Sequence, residues 1–263
     1  MDMKLKDKVA VITGGAGDIG AEAALEFLEE GCKVAVCGRS EQSLDKFKKL
    51  ANEKGFDVMT YVADVTSMDA LDQFAKAIEK EYGGIDIWVN CAAIEGYSPL
   101  MECTEEFWNK VLDINLTGTW RGIKAAVPYM EKRGGGSIVN VSSFCSIVPT
   151  AKNGIYSVSK AAVDSLTKVM AAELAPKNIR VNAILPGFTA TQMTADKVAS
   201  IMDMLVEPIS MRRLGNPGDI ARGIVFMAGD GARYIDGATL IISGGKFIVQ
   251  NPQDPWNNYR GGY

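Results

Sequence analysis

A tyrosine and a lysine stand four residues apart in Tyr156-Ser157-Val158-Ser159-Lys160, opening a stretch (155–175) with helical apolar spacing. Residues four apart share one helix face, so the phenol and the ammonium converge on one point. A free tyrosine ionises near pH ~10 and is a poor base at neutrality. A nearby ammonium favours the phenolate and brings the group towards the working range of an acid–base catalyst. Near the N-terminus, Thr13-Gly14-Gly15-Ala16-Gly17-Asp18-Ile19-Gly20 joins an apolar run to a helical pattern. Glycines let a backbone turn sharply and approach a pyrophosphate, whose charge the exposed N–H groups and the helix dipole attract. Each motif alone has a plain structural reading: an exposed Tyr–Lys pair, or a tight loop. A glycine turn placed between strand and helix favours a dinucleotide.

The elements that must carry these residues alternate. Short β-branched runs at 9–13, 33–37, 57–62, 85–90, 137–141, 179–185 and 238–242 are read as strands. Helical patterns lie between them at 19–30, 41–54, 68–82, 117–133, 156–175 and 217–229. Strands apolar on both faces and separated by amphipathic helices predict an α/β fold, a single doubly wound Rossmann domain with a mostly parallel seven-stranded sheet. Its ligand belongs in the crevice at the carboxyl ends of the strands. No Pro- or Ser-rich linker or internal repeat divides the chain, so residues 1–263 are read as one domain.

Composition narrows the chemistry. Apolar residues make up 47% and charged residues 23% of the 263, as expected of a soluble protein with a real core. A net charge of −4 without a long basic run argues against a nucleic-acid surface. The sequence has no histidine, which removes a His-based triad and the common His-containing metal sites; no metal is expected. Five scattered cysteines form no CxxC pair, which fits a reducing, cytoplasmic setting. The first apolar run, 9–12, is too short for a signal peptide or membrane span.

With the motifs in order, the chain resembles the short-chain dehydrogenase/reductase family. Its TGxxxGxG turn is matched by Thr13, Gly14 and Gly20, with Ile19 beside them and Asp18 in place of the middle glycine. Asp is a good helix N-cap, so the Asp18 side chain is expected to cap the helix and turn from the phosphates. Asp64-Val65 resembles the family's DV pair, whose aspartate caps the adenine amino group. Asn90-Cys91-Ala92-Ala93 resembles NNAG with two departures. The resemblance assigns a tetrad: Asn115, Ser143, Tyr156 and Lys160. Ser143, thirteen residues before Tyr156, would hydrogen-bond the substrate oxygen, with Ser142 a structural neighbour. Asn115 would hold a water in a proton relay behind the lysine. Pro186 and Gly187 match the PG motif, and Thr189 and Thr191 would hold the nicotinamide carboxamide.

The implied reaction is hydride transfer between a nicotinamide cofactor and a ketone or secondary alcohol. An enzyme preferring NAD usually has an acidic residue at the end of the second strand. Gly38 stands there and Arg39 follows, able to pair with a 2′-phosphate. NADP(H) is therefore expected ahead of NAD(H). Residues 192–213 are expected to form a lid bearing Met193, Met202, Met204 and Met211. Glu95, Tyr97, Phe144, Ile147, Val148, Asn153, Phe188 and Met193 are candidates for the substrate pocket, which suits an apolar, hydroxysteroid-like ligand. The tail, 246–263, carries Trp256, Tyr259 and Tyr263, which suggests docking on a neighbouring subunit of the homotetramer common in the family. The alternatives are reduction of 3-oxoacyl groups on an acyl carrier protein, with Lys132, Arg133 and Lys177 as a docking face, and a catalytically silent dinucleotide sensor. No membrane or nucleic-acid partner is expected.

Overall fold

In the computed structural model, seven strands form one sheet with every neighbouring pair parallel: β1 (Val9–Thr13), β2 (Lys33–Gly38), β3 (Met59–Val62), β4 (Ile87–Asn90), β5 (Gly136–Val141), β6 (Ile179–Pro186) and β7 (Thr239–Ile242). The structure describes residues 3–250, 252, 255 and 256, with the backbone alone at 196–200. Strand order is β3-β2-β1-β4-β5-β6-β7, so the chain runs outward from β1 to one edge and then returns to build the other half. The switch between β1 and β4 opens a crevice beyond their carboxyl ends.

Among the described residues there are eight α-helices, most of them packed on the sheet: α1 (Asp18–Glu29), α2 (Glu41–Glu53), α3 (Met68–Tyr82), α4 (Glu105–Leu112), α5 (Gly118–Lys132), α6 (Gly154–Leu174), α7 (Ala195–Val206) and α8 (Pro217–Ala228). Side chains alternate across a strand, and β1 uses both faces. Ala10 and Ile12 join one core with Phe27, Val36 and Ile224, while Val9 and Val11 join the other with Phe74, Trp88 and Ile123. Full burial of a side chain such as Ile12 or Phe27 contributes ~1.5–3 kcal/mol. This two-sided demand gives the strands their unbroken apolar runs.

Several helix starts are marked by local chemistry. The Ser40, Ser67 and Thr104 hydroxyls accept from the backbone N–H groups of Ser43, Ala70 and Phe107, each at 3.2 Å. Asn216 and Asp219 form a reciprocal capping box on α8. Helix α4 was not anticipated. It is only eight residues long, little more than two turns, and a single side chain, Val111, is buried, so it is too short to stand out as a helical run. Between α4 and α5 the chain makes a π-turn over Asp113–Thr117, a local widening often found at functional sites. The expected lid region contains a 3₁₀ turn, Gln192–Thr194, followed by α7, which is kinked at Ile201. Among the described residues no helix is long and apolar enough to cross a membrane.

Candidate active site

One cavity of about 890 Å³ lies beyond the carboxyl ends of the strands. Its floor at one end is the turn from β1 into α1. Gly14 has φ +67, and a Cβ there would lie 2.9 Å from the Cα of Ala92. A Cβ on Gly20 would run into the carbonyl oxygen of Gly14. The two glycines thus let the turn close against both the β4 extension and the start of α1, leaving a concave backbone surface. Thr13 braces this end: its hydroxyl accepts from the backbone N–H of Cys91 (3.2 Å) and of Ala92 (3.4 Å). A helix N-terminus opening onto such a concavity is suited to a phosphate group.

Asp18 corrects one expectation. The N-cap of α1 is Gly17, and Asp18 is the first helical residue without a capping bond. Its carboxylate instead accepts from the backbone N–H of Gln192 at 3.0 Å, reaching across the cavity mouth to the lid. The helix start is available to Asp18 only through its backbone, because the glycine turn already supplies the extended N-cap conformation.

Ile19, Arg39, Asp64, Val65, Ala92, Pro186, Gly187, Thr189 and Thr191 also line the cavity. The Asp64 carboxylate holds its own loop by accepting from the Thr66 N–H (2.9 Å) and hydroxyl (2.8 Å). The Asn90 side chain is buried beneath the cavity, accepting from the Trp88 indole at 2.8 Å and donating to Asn140 at 2.9 Å. Asn140 passes the network on to Thr167 at 2.9 Å. The Asn90 side chain therefore ties β4 to β5.

The α6 helix delivers Tyr156 and Lys160 to the middle of the cavity, and the end of β5 delivers Ser143. Lys160 is 3% exposed. Its ammonium donates to the Val141 carbonyl at 2.8 Å and lies 5.6 Å from the Tyr156 ring centre. Burial with one protein acceptor pulls its pKa down to about 8. Tyr156 opens into the cavity but is surrounded by protein, and this desolvation raises its pKa above the ordinary phenol value. The Ser143 hydroxyl beside it pulls the other way. The sequence predicts a phenol shifted down by its lysine; in the cavity as it stands, desolvation raises it instead. The Ser143 hydroxyl also accepts from the Cys145 N–H at 3.1 Å, fixing its position. Ser142 donates to the Lys160 carbonyl at 3.1 Å, so it fastens β5 to α6.

Asn115 sits in the π-turn, fully buried. Its amide donates to the Ile94 carbonyl (3.0 Å) and the Ser159 hydroxyl (3.1 Å), and its oxygen accepts from the Ile94 N–H (2.8 Å). The side chain is thus committed to joining the segment after β4 to the catalytic helix. Its backbone carbonyl accepts from the Thr119 hydroxyl at 2.8 Å.

The far end of the cavity is lined by Glu95, Tyr97, Phe144, Val148, Asn153, Phe188, Met193, Met204 and Leu205. Asn153 also accepts from the Gly96 N–H at 3.2 Å. Ile147, Met202 and Met211 do not reach it; they are substantially exposed. Among the lining residues that were not anticipated are Lys246 and Phe247, which follow β7. They lie more than thirty residues beyond the end of the lid region and about one hundred after Phe144, and only the fold brings Phe247 back to Phe144, whose ring stacks on it at 6.2 Å. The Trp256 indole donates to the Ser210 carbonyl of its own chain at 2.8 Å. Tyr259 and Tyr263 lie outside the described residues.

A family model described as enoyl-(acyl carrier protein) reductase matches residues 14–246. The chain is 40% identical over 244 residues to dehydrogenase/reductase SDR family member 4 of Rattus norvegicus, covering 92% of this chain and 88% of that protein. It is 38% identical over 246 residues to the 3-oxoacyl-[acyl-carrier-protein] reductase FabG of Thermotoga maritima, covering 94% of this chain and all of the relative. Among solved structures, NAD+-bound xylitol dehydrogenase superposes with a TM-score of 0.88 at 30% identity, over 92% of this chain and 100% of the other. A structure described as gox2181 reaches a TM-score of 0.91 at 29% identity, over 94% and 98%. The parallel sheet, the glycine cradle and the convergence of Ser143, Tyr156 and Lys160 agree with these matches, and the chain belongs to the short-chain dehydrogenase/reductase family of NAD(P)-using oxidoreductases.

Proposed function

We propose that the protein interconverts an apolar ketone and its secondary alcohol using NADP(H). The observation that carries this reading is the placement of Ser143, Tyr156 and Lys160 in one cavity between a glycine cradle and a greasy far end. The cradle fits a dinucleotide: Gly14 and Gly20 keep its backbone clear of side chains, and Asp64 and Thr191 stand along the same wall. A bound nicotinamide supplies or accepts the hydride. In reduction, the hydroxyls of Ser143 and Tyr156 donate to the substrate oxygen, and Tyr156 releases its proton as charge builds there. The Lys160 ammonium, held by the Val141 carbonyl, favours the resulting phenolate. Asn115 acts as a positioning residue, keeping α6 and the segment after β4 in register. Phe144, Phe188, Met193 and Met204 would receive the apolar body of the substrate, a hydroxysteroid being one candidate.

Arg39 supports the cofactor preference. It lines the cavity after β2, and Gly38 before it brings no carboxylate to repel a 2′-phosphate. The experiment is a comparison of NADPH and NADH at 340 nm over apolar ketones, steroids and acyl thioesters. Arg39→Ala is expected to lower the NADPH over NADH preference by about tenfold, the scale of one charge-assisted contact. An unchanged preference would remove Arg39 from the cofactor site.

Similarity to FabG favours 3-oxoacyl reduction as a second reading. Against it, the suggested basic docking face is spent on carboxylates: Lys132 pairs with Glu79, Arg133 with Asp86 and Lys177 with Glu131. Saturation by an acyl-carrier substrate but not by free ketones would decide for it. A homotetramer belongs to the proposal on family resemblance and is checked by sedimentation.

A further inference from the structure

Lys246 brings a cation into the apolar end of the cavity, where hydride transfer to a plain ketone has no use for one. Its ammonium lies 5.2 Å from the ring centre of Phe247 and 5.8 Å from that of Phe188. Phe247 in turn stacks on Phe144, so the charge faces two rings with a third packed behind one of them. All four residues line the cavity, at the end away from the glycine cradle and Arg39. The side chain is half-buried, and desolvation lowers its pKa. The one neighbouring group that acts in the opposite direction is the Cys145 thiol. Among the described residues no carboxylate lies in ion-pair reach of Lys246, and its ammonium has no hydrogen-bond acceptor. Aromatic faces offset part of the lost hydration but cannot fill the three N–H donors. An ammonium held against rings with its donors unfilled is a standing preference for an anionic oxygen arriving in the cavity.

Resting on the hydride-transfer reading above, we propose that the substrate is an apolar ketone or alcohol that also carries a carboxylate, which Lys246 seats among Phe144, Phe188 and Phe247. A monoanion fits better than a phosphate dianion, because one ammonium faces the rings and no second cation stacks on them among the described residues. Lys246 is then a specificity residue. It fixes which end of an elongated substrate points away from Tyr156, and the apolar rings accept the chain between.

The test uses the whole protein with NADPH and a series of straight-chain keto acids of increasing length, each beside its methyl ester. For the best keto acid, kcat/KM is expected to exceed that of its ester at least tenfold. Lys246→Met should cut that ratio at least tenfold through KM, and Lys246→Arg should restore part of it. A second readout needs no turnover: a long-chain alkanoate should bind the NADPH complex of the unaltered protein, competing with a neutral ketone or quenching bound NADPH fluorescence. The matched primary amide should bind at least tenfold more weakly. Equal handling of acid and ester, together with equal binding of alkanoate and amide, would overturn the proposal while leaving ketone reduction intact. Alkanoate binding without turnover of any ketone would overturn the hydride-transfer reading and keep Lys246 as an anion site.

Discussion

The two ends of the sheet treat charge in opposite ways. At the amino-terminal end, the buried Asp86 carboxylate accepts from the Val9 N–H at 2.9 Å and pairs with Lys8 at 3.3 Å and Arg133 at 3.1 Å. Arg180, near the start of β6, donates to the carbonyls of Met227, Ala228, Gly229 and Ile235. Each charge there has its complement, and the elements it joins are fixed. At the carboxyl-terminal end Lys160 has one carbonyl, Lys246 is stacked on rings, and Tyr156 is held protonated by desolvation. Satisfied charge holds a fold together; incompletely satisfied charge is what remains for a ligand. The difference follows from the parallel topology, since loops and helix N-termini gather at one end while the other is closed by tight connections.

Breaking the comparison at the reactive end should have the largest effect. Tyr156→Phe removes the proton donor and should lower turnover by about 10²–10⁴-fold with cofactor binding kept, measured by single-turnover kinetics and NADPH fluorescence. Retained turnover would return this end to a sensing role. Disturbing the closed end should do the reverse. Asp86→Ala strands Lys8 and Arg133 and leaves the Val9 N–H unpaired. The expected loss is about 2 kcal/mol of stability in urea unfolding, discounted because both cations are partly exposed, with kcat in the folded fraction unaltered.

Acidity sharpens the contrast. Lys160 has its pKa lowered to about 8, so its ammonium is present below that pH and lost above it. Reductase kcat/KM should therefore decline above pH about 8, while alcohol oxidation, which needs the deprotonated Tyr156, should rise with pH. A flat reductase profile between pH 7 and 9 would place the ammonium outside the rate-determining machinery. The smallest effect concerns Asp18. Asp18→Asn keeps an oxygen for the Gln192 N–H and removes a negative charge from the cradle. NADPH affinity should tighten about threefold in titration calorimetry, more at low salt, as screening of an exposed charge predicts.

Much of the reactive end was legible in the residues. Tyr156 and Lys160 are one helical turn apart, so local geometry alone brings them together. The glycines at 14 and 20 mark a turn that no other residue tolerates so closely packed. The runs predicted all seven strands: the central ones are covered on both faces and mostly apolar, while the edge strands β3 and β7 are partly exposed and were marked by β-branched residues instead. The bonds of the Asn90 side chain to Trp88 and Asn140 were not legible, because a motif gives position along a strand end but not which way the side chain faces. Asp18 was misread because its partner lies 174 residues away. Helix α4 was missed because its eight residues make a run too short to separate from a loop.

The sequence by itself determined the alternating fold, the phosphate-binding turn and the Tyr–Lys pair, because each depends on contacts within a few residues or on burial repeated along an element. The tertiary structure alone decided that Lys246 and Phe247 close the substrate end, that Asp18 reaches the lid, and that Tyr156 is desolvated enough to stay protonated. Those outcomes depend on which distant segments share a volume and how much water is left between them, and no local pattern records either.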